Sequence, residues 1–302
     1  MGSVPPVGKP SIIKLGTIDC DMVETTPIVF QNRLYRFEYV RSNYKPNKTG
    51  VPFFRFIDVE SGESTPDFAH GFHLGSAFVD DDRVFVYGVD AWGGSKIKVF
   101  WSRDLKEWRS ENALTLPGCG IYNNSVCRNR DRYVMAIELG EPVELVGVRF
   151  TIFFAESNDL LKWRMRPLNE AFSRDRYTAC PAIRWLDDNY YMVYLEQTLG
   201  LTYEPHIVRS KNLVDWQSSP FNPVMHPSAE DKKIANERLT VEQRNRILNA
   251  VNINNSDLDF CEFAGKTVIY YSWGDQKGTE FLAEAVYNGK LESFLQSFFA
   301  DS

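Results

Sequence analysis

A seven-residue phrase recurs three times in this chain, and its period restricts the fold more than any other feature. It reads Ser102-Arg103-Asp104-Leu105-Lys106-Glu107-Trp108, then Ser157-Asn158-Asp159-Leu160-Leu161-Lys162-Trp163, then Ser210-Lys211-Asn212-Leu213-Val214-Asp215-Trp216. Each copy follows a β-rich run (Ile97 to Trp101, Phe150 to Ala155, His206 to Arg209). The phrase therefore predicts a strand, a tight turn opened by Ser with Asp or Asn, and a Trp returning to cover the strand. The tryptophans fall 55 and 53 residues apart. A period of about fifty with several short strands per unit predicts a β-propeller, whose blades bury their faces only against one another.

Hairpin signals at the same period divide nearly the whole chain into five blades, at about 25–64, 73–113, 121–170, 177–222 and 255–300. The expected class is all-β, a single five-bladed propeller domain. An apolar segment, Ser11 to Gly16, is expected to pair with the last blade and close the ring. One stretch breaks the pattern: about 228–251 is charged and carries Thr240-Val241-Glu242-Gln243, a capping box opening a helix with Ile247, Leu248 and Val251 on one side. It reads as a short helical insertion between blades four and five, either a plain connection or a lid.

Composition narrows the partners. The net charge is −6 with no basic block, which argues against nucleic acid or an anionic membrane surface. No run approaches the ~18 apolar residues that cross a bilayer. The N-terminus lacks the charged start and apolar core of a signal peptide, so a cytoplasmic location is expected, or a secreted one if a leader has been removed. The five cysteines are widely spaced without a Cys-x-x-Cys pair and read as free, mostly buried thiols. Nothing in the sequence bears on oligomeric state.

In a propeller the innermost strands converge, so side chains just before them share one pocket although they lie far apart in sequence. Aligned by their hairpin turns, the blades bring together Asp21, Glu24 and Thr26; His73 and Ser76; Tyr122, Asn123, Asn124 and Ser125; Thr178 and Cys180; and Asn255, Ser256, Asp257 and Asp259. The far ends of the second strands return to the same face and repeat an acid: Glu38, Glu138 and Glu196. A carboxylate in so apolar a strand either meets an arginine, such as Arg36, Arg41 or Arg184, or belongs to a site. Asn123-Asn124-Ser125 and Asn254-Asn255-Ser256 stand at equivalent entries, and the glycine-rich loop after Trp273 places Trp273 and Gln276 as further contacts.

No Gly-x-Ser-x-Gly elbow, His-Glu-x-x-His pair or nucleotide fingerprint is present. Asp80-Asp81-Asp82 sits where other blades have a hairpin turn and reads as a solvated turn. Two carboxylates across a pocket are what cleavage of a glycosidic bond needs: one donates a proton to the leaving oxygen, the other activates water or attacks.

The repeated phrase, the hairpin Thr26-Pro27-Ile28-Val29-Phe30-Gln31-Asn32-Arg33-Leu34-Tyr35 and the five-blade count resemble glycoside hydrolase family 43 and its relatives, families 32, 68 and 117. The resemblance implies a glycosidase on a carbohydrate substrate. It also implies an Asp base at the first blade entry, a tuning Asp at the second and a Glu acid at the third. Here Thr26 precedes Pro27, Ser76 has no acid beside it, and the third entry is Asn124-Ser125, so that triad does not transfer.

The expectation is an exo-acting hydrolase of a terminal furanoside or unusual sugar. Its catalytic candidates are Asp21, Glu24, Glu196 and Asp257, and its substrate-binding candidates His73, Asn124, Ser125, Asn255, Asp259, Trp273 and Gln276. No protein-bound metal or organic cofactor is expected, a central calcium ion being the one candidate. The alternatives are a non-catalytic glycan-binding propeller and a glycoside phosphorylase.

Overall fold

The computed structural model describes residues 8–200 and 202–299. The expected leaderless start falls partly on residues 1–7, outside the described residues, as does the last residue of the span 255–300. After strand β1 (Ile13–Cys20), four blades follow in chain order. The first holds β2 (Thr25–Phe30), β3 (Arg33–Val40) and β4 (Phe53–Asp58), and the second β5 (His73–Asp80), β6 (Arg83–Val89), β7 (Lys96–Ser102) and β8 (Arg109–Thr115). The third has β9 (Gly120–Arg128), β10 (Tyr133–Glu141), a short helix α1 (Val143–Val146), β11 (Thr151–Ser157) and β12 (Arg164–Met165). The fourth has β13 (Thr178–Leu186), β14 (Asn189–Thr198), β15 (Thr202–Ser210) and β16 (Trp216–Ser218). Helix α2 (Val241–Asn249) precedes β17 (Asn254–Phe263), β18 (Lys266–Gly274), β19 (Glu280–Tyr287) and helix α3 (Leu291–Ser297).

The fifth blade takes its outermost strand from the start of the chain. β1 pairs antiparallel with β19, from Ile13 opposite Val286 to Cys20 opposite Phe281. This closes the ring as expected, with a strand longer than the Ser11–Gly16 segment. The innermost strands β2, β5, β9, β13 and β17 pack against one another in a circle.

The repeated phrase folds the same way each time. Ser102, Ser157 and Ser210 each accept backbone N–H bonds from the residues two and three ahead. Asp104, Asp159 and Asn212 each accept two more from the turn that follows. The turn holds Leu105, Leu160 and Leu213 at φ of 60°, 66° and 67°, an unusual conformation for leucine, tolerated because all three side chains are buried. The Trp does not cover its own strand, as the phrase suggested. Trp108 stacks on Phe68 of the first blade at 3.9 Å, Trp163 meets Tyr87 of the second edge-on at 5.7 Å, and Trp216 stacks on Phe154 of the third at 5.7 Å. Each Trp is a wedge against the preceding blade, which is how a repeat without its own core gains one.

The insertion between blades four and five forms a 3₁₀ turn (Ala229–Lys232) and α2. Its capping box is present in both directions: Gln243 N–H donates to Thr240 Oγ1 at 3.2 Å, and Thr240 N–H to Gln243 Oε1 at 2.9 Å. Of the three apolar residues expected on its packed face only Ile247 is buried; Leu248 and Val251 are exposed. The insertion adds to the open edge of β1, where Thr17 N–H donates to Lys233 O at 2.7 Å. Gly16 permits this approach, since a Cβ there would lie 2.3 Å from that carbonyl oxygen. Beneath it Asp231, fully buried, pairs with Lys14 at 2.7 Å and accepts from Tyr271 Oη at 2.7 Å and from Asn252 and Asn255.

Candidate active site

Four of the five innermost strands begin with a backbone irregularity at the same level. Leu74, Cys180 and Asp257 sit in β-bulges at φ of 51°, 48° and 49°; Glu24, immediately before β2, has φ of 49°. In the third blade a register shift between Ile121 and Asn124 performs the same displacement. A bulge re-aims the side chain it carries. Here all five side chains, Glu24, Leu74, Asn123, Cys180 and Asp257, line one pocket of about 230 Å³ on the axis. Below, the channel narrows to a throat of about 40 Å³, room for no more than a few waters. It then widens again to an apolar cavity of about 310 Å³ on the opposite face.

Glu24 is held by Arg41, whose Nη2 lies 2.6 Å from both carboxylate oxygens. Burial raises the Glu24 pKa; Arg41 opposes the rise and Asp257 adds to it. Asp257 accepts from Ser272 Oγ at 2.8 Å. Glu138, at the inner end of β10, is 3% exposed and accepts the Cys180 N–H at 2.8 Å and the Asn123 amide at 3.0 Å, both on Oε2. No cation pairs with it among the described residues. Burial pushes its pKa up to about 7, against those two donors and with help from Asp257 and Glu24. Glu280, at the start of β19, is raised to about 7 by burial, with Arg41 opposing. Burial and the nearby Asp257 and Glu138 push the Cys180 thiol well up, so it stays protonated. Around this acidic floor stand Trp92, Tyr122, Phe150, Tyr177 and Tyr203.

The three strand-end glutamates part company. Burial would raise Glu38, yet Arg36 and Arg55, each with Nε at 2.7 Å, hold it below the usual range, so it is a structural ion cluster. Glu196 accepts from Tyr194 Oη at 2.6 Å and faces His206 and Arg176 at 3.4 and 3.6 Å, away from the pocket. Glu138 alone enters it. A signal for this was readable: Glu38 has Arg36 two residues earlier on the same strand face, whereas Ala136 stands there before Glu138.

The other candidates distribute as follows. Glu24, Asp257 and Gln276 line the pocket. Asp21 does not reach it, because its carboxylate is clamped by Arg246 of α2 at 2.6 and 2.9 Å. His73 stands behind the rim, bonded to Tyr39 Oη at 2.7 Å and edge-on to Trp92; burial and then Arg41 lower its pKa. Asn124 and Asp259 line the throat, Asn124 accepting from Ser76 Oγ at 2.7 Å and Asp259 pairing with Arg184 at 2.5 Å. Ser125 ties β9 to β13 by accepting the Ile183 N–H. Asn255 is fully buried between Lys14 and Asp231, and Trp273, 1% exposed, donates to Thr17 Oγ1 and stacks on Phe281, so neither can touch a ligand. No residue of the insertion lines the pocket, which places it beside the site rather than over it.

Asp259 and Glu24 are already engaged by Arg184 and Arg41, and among the described residues no three His, Cys, Asp or Glu side chains converge as metal ligands.

No protein-family model matches the sequence, and no curated protein matches it. Solved structures do match. An α-L-arabinofuranosidase from Podospora anserina in complex with cellotriose aligns over 94% of this chain and 99% of its own, at 8% identity and a TM-score of 0.64. A thermostable family-43 glycoside hydrolase aligns over 89% and 90%, at 12% identity and 0.63. A xylan β-1,4-xylosidase from Bacillus halodurans aligns over 90% of this chain and 54% of its own, at 11% identity and 0.60. These likenesses establish a shared five-bladed propeller.

Proposed function

We propose that this chain is a glycoside hydrolase that removes a terminal sugar, with Glu138 as proton donor and Glu24 as base. The observation that carries the reading is Glu138. A buried carboxyl with a pKa of about 7 and, among the described residues, no cationic partner and no donor to Oε1 is suited to give a proton to a leaving oxygen. Glu24, its negative charge stabilised by Arg41, activates water or attacks the anomeric carbon. Asp257 raises the proton affinity of both, which helps to keep Glu138 protonated, while at Glu24 Arg41 opposes the rise that burial and Asp257 cause.

The pocket favours exo action, since it ends in a throat too narrow for a sugar and has room for a terminal residue. Its aromatic rim offers the flat faces on which sugar rings stack. The likeness to an arabinofuranosidase and a xylosidase supports a pentose, including a furanoside. Phosphorolysis is disfavoured: Glu24, Glu138, Asp257 and Glu280 crowd the pocket, and Arg41, the one guanidinium lining it among the described residues, already serves Glu24.

The test is a screen of the purified protein against aryl and natural pentosides and hexosides, with and without phosphate. Release of one sugar without phosphate supports the reading. Saturable sugar binding without product would replace it by the glycan-binding alternative.

A further inference from the structure

The flank of the ring carries a second cavity, larger than the axial pocket. It has a volume of about 630 Å³ and lies between the first and fifth blades, with residues 235–239 and Gln243 of the insertion forming part of its wall. Another part is charged. Glu38 takes Nε of both Arg36 and Arg55 at 2.7 Å, and Asp19 takes Arg36 Nη2 at 3.0 Å and the Cys20 N–H at 2.8 Å. The two guanidiniums are thus committed to two carboxylates. A third, Glu284 on β19, lines the same cavity, and among the described residues no hydrogen bond or ion pair reaches it. Its cross-strand neighbours supply no cation: Gly16 on β1 has no side chain, and Tyr270 on β18 carries a neutral hydroxyl. Burial raises the pKa of both Glu284 and Asp19, with Arg36 opposing each rise. Elsewhere in the lining Glu60 and Glu237 outnumber Arg238, so the acid surplus is not made up there. Tyr270 is fully buried and lines the cavity, and its Oη has no hydrogen-bond partner among the described residues. A carboxylate without a cation and a buried hydroxyl without a partner both cost stability, and one ligand group would satisfy the two together.

We propose that the flank cavity binds a small organic cation, with a primary ammonium group seated between Glu284 and Tyr270 Oη. An ammonium has three N–H donors and no acceptor, so it can serve the carboxylate and the phenol oxygen at once and balance the surplus charge. Its carbon body has Ile57, Val59 and Leu239 to pack against. A neutral sugar would leave the surplus charge in place, and a bare metal ion would find one free carboxylate where it needs several oxygens. The cavity shares no lining residue with the axial pocket, and its occupancy does not depend on the hydrolase reading.

The experiment is a calorimetric titration of the purified protein with putrescine, with glucosamine, and with butanediol as the neutral analogue of putrescine, at neutral pH and low salt. Saturable binding of at least one amine is expected, and which one binds separates a polyamine from an amino sugar. Affinity should fall about tenfold or more in Glu284→Gln and about threefold or more in Tyr270→Phe. It should be unchanged in Asp257→Asn, which alters only the axial pocket. Tyr270→Phe removes a hydroxyl that has no partner, so its urea midpoint should not fall below that of the parent. Absence of binding by both amines, parental affinity in either flank variant, loss of binding in Asp257→Asn, or butanediol binding as tightly as putrescine would each overturn the proposal. A further readout needs no variant of the flank to fold: in the unaltered protein the Glu284 carboxyl carbon should shift in NMR as the amine saturates, and an unmoved resonance would overturn the proposal as well. Failure to turn over any glycoside would remove the hydrolase reading and leave these outcomes untouched.

Discussion

The Cys180 backbone N–H, in a bulge of the fourth blade, donates to Glu138 Oε2 of the third blade at 2.8 Å. One bond thus joins two blades and orients the acid of the pocket, so the packing of the propeller and the chemistry of the site are coupled.

That coupling has a stability signature. The raised Glu138 pKa means that the folded protein binds this proton more tightly than the unfolded chain does. Its contribution is favourable below the ordinary glutamate range and is lost as pH rises through about 7. Glu138→Gln should therefore unfold at higher urea than the parent at pH 8, by on the order of 2–3 kcal/mol, with the difference vanishing near pH 4. Equal midpoints at pH 8 would show that the carboxyl is not strained by burial.

The wedge tryptophans should carry blade-to-blade stability. Trp163→Ala removes the contact with Tyr87 and the bond from Nε1 to Leu160 O at 3.2 Å. A loss of about 3–5 kcal/mol in chemical denaturation is expected. A loss below ~1 kcal/mol would mean that the repeated phrase does not hold the ring.

The insertion should be pinned by Asp231. Replacing Lys14 by Met leaves that buried carboxylate without its cation and is expected to cost about 3–5 kcal/mol. Although burial acts the other way, Lys14 and the surrounding hydrogen bonds hold the Asp231 pKa below its usual value. Its contribution is thus present above the ordinary aspartate range and lost as pH falls through its own lower pKa. Asn255→Ala should share the loss of stability while leaving KM unchanged; a raised KM at intact stability would restore Asn255 as a substrate contact.

The carboxylates can be sorted by turnover. Glu24→Gln and Asp257→Asn should lower kcat/KM by about 10²–10⁴-fold with folding intact. Asp21→Asn and Glu196→Gln should stay within a few-fold of the parent, because both acids lie outside the pocket. Full activity in Glu24→Gln and Asp257→Asn would remove both from the mechanism.

The five blades, the closing N-terminal strand and the helical insertion were legible because each leaves a periodic or capping signal. The direction in which each Trp packs was not, since a local phrase carries no information about the blade behind it. The pocket was half legible. Glu24 and Asp257 announce themselves as acids at blade entries, whereas Asn255, two residues before Asp257, and its cross-strand neighbour Trp273 stay in the core because the bulge at Asp257 re-aims only the side chain that it carries. Glu138 differs from Glu38 by the absence of an arginine on its own strand face. The approach of Glu280 to Arg41 was beyond reach, because it depends on ring closure between the first and last blades.

The most direct measurement is the leaving-group dependence of Glu138→Gln. Parent and variant are compared on aryl glycosides of the accepted sugar with good and poor leaving groups, and on the natural substrate. If Glu138 protonates the leaving oxygen, the variant should lose little on the best leaving group and about 10²–10⁴-fold on the poorest, with the parent's basic limb near pH 7 abolished. A uniform loss across the series, or an unchanged basic limb, would contradict the account.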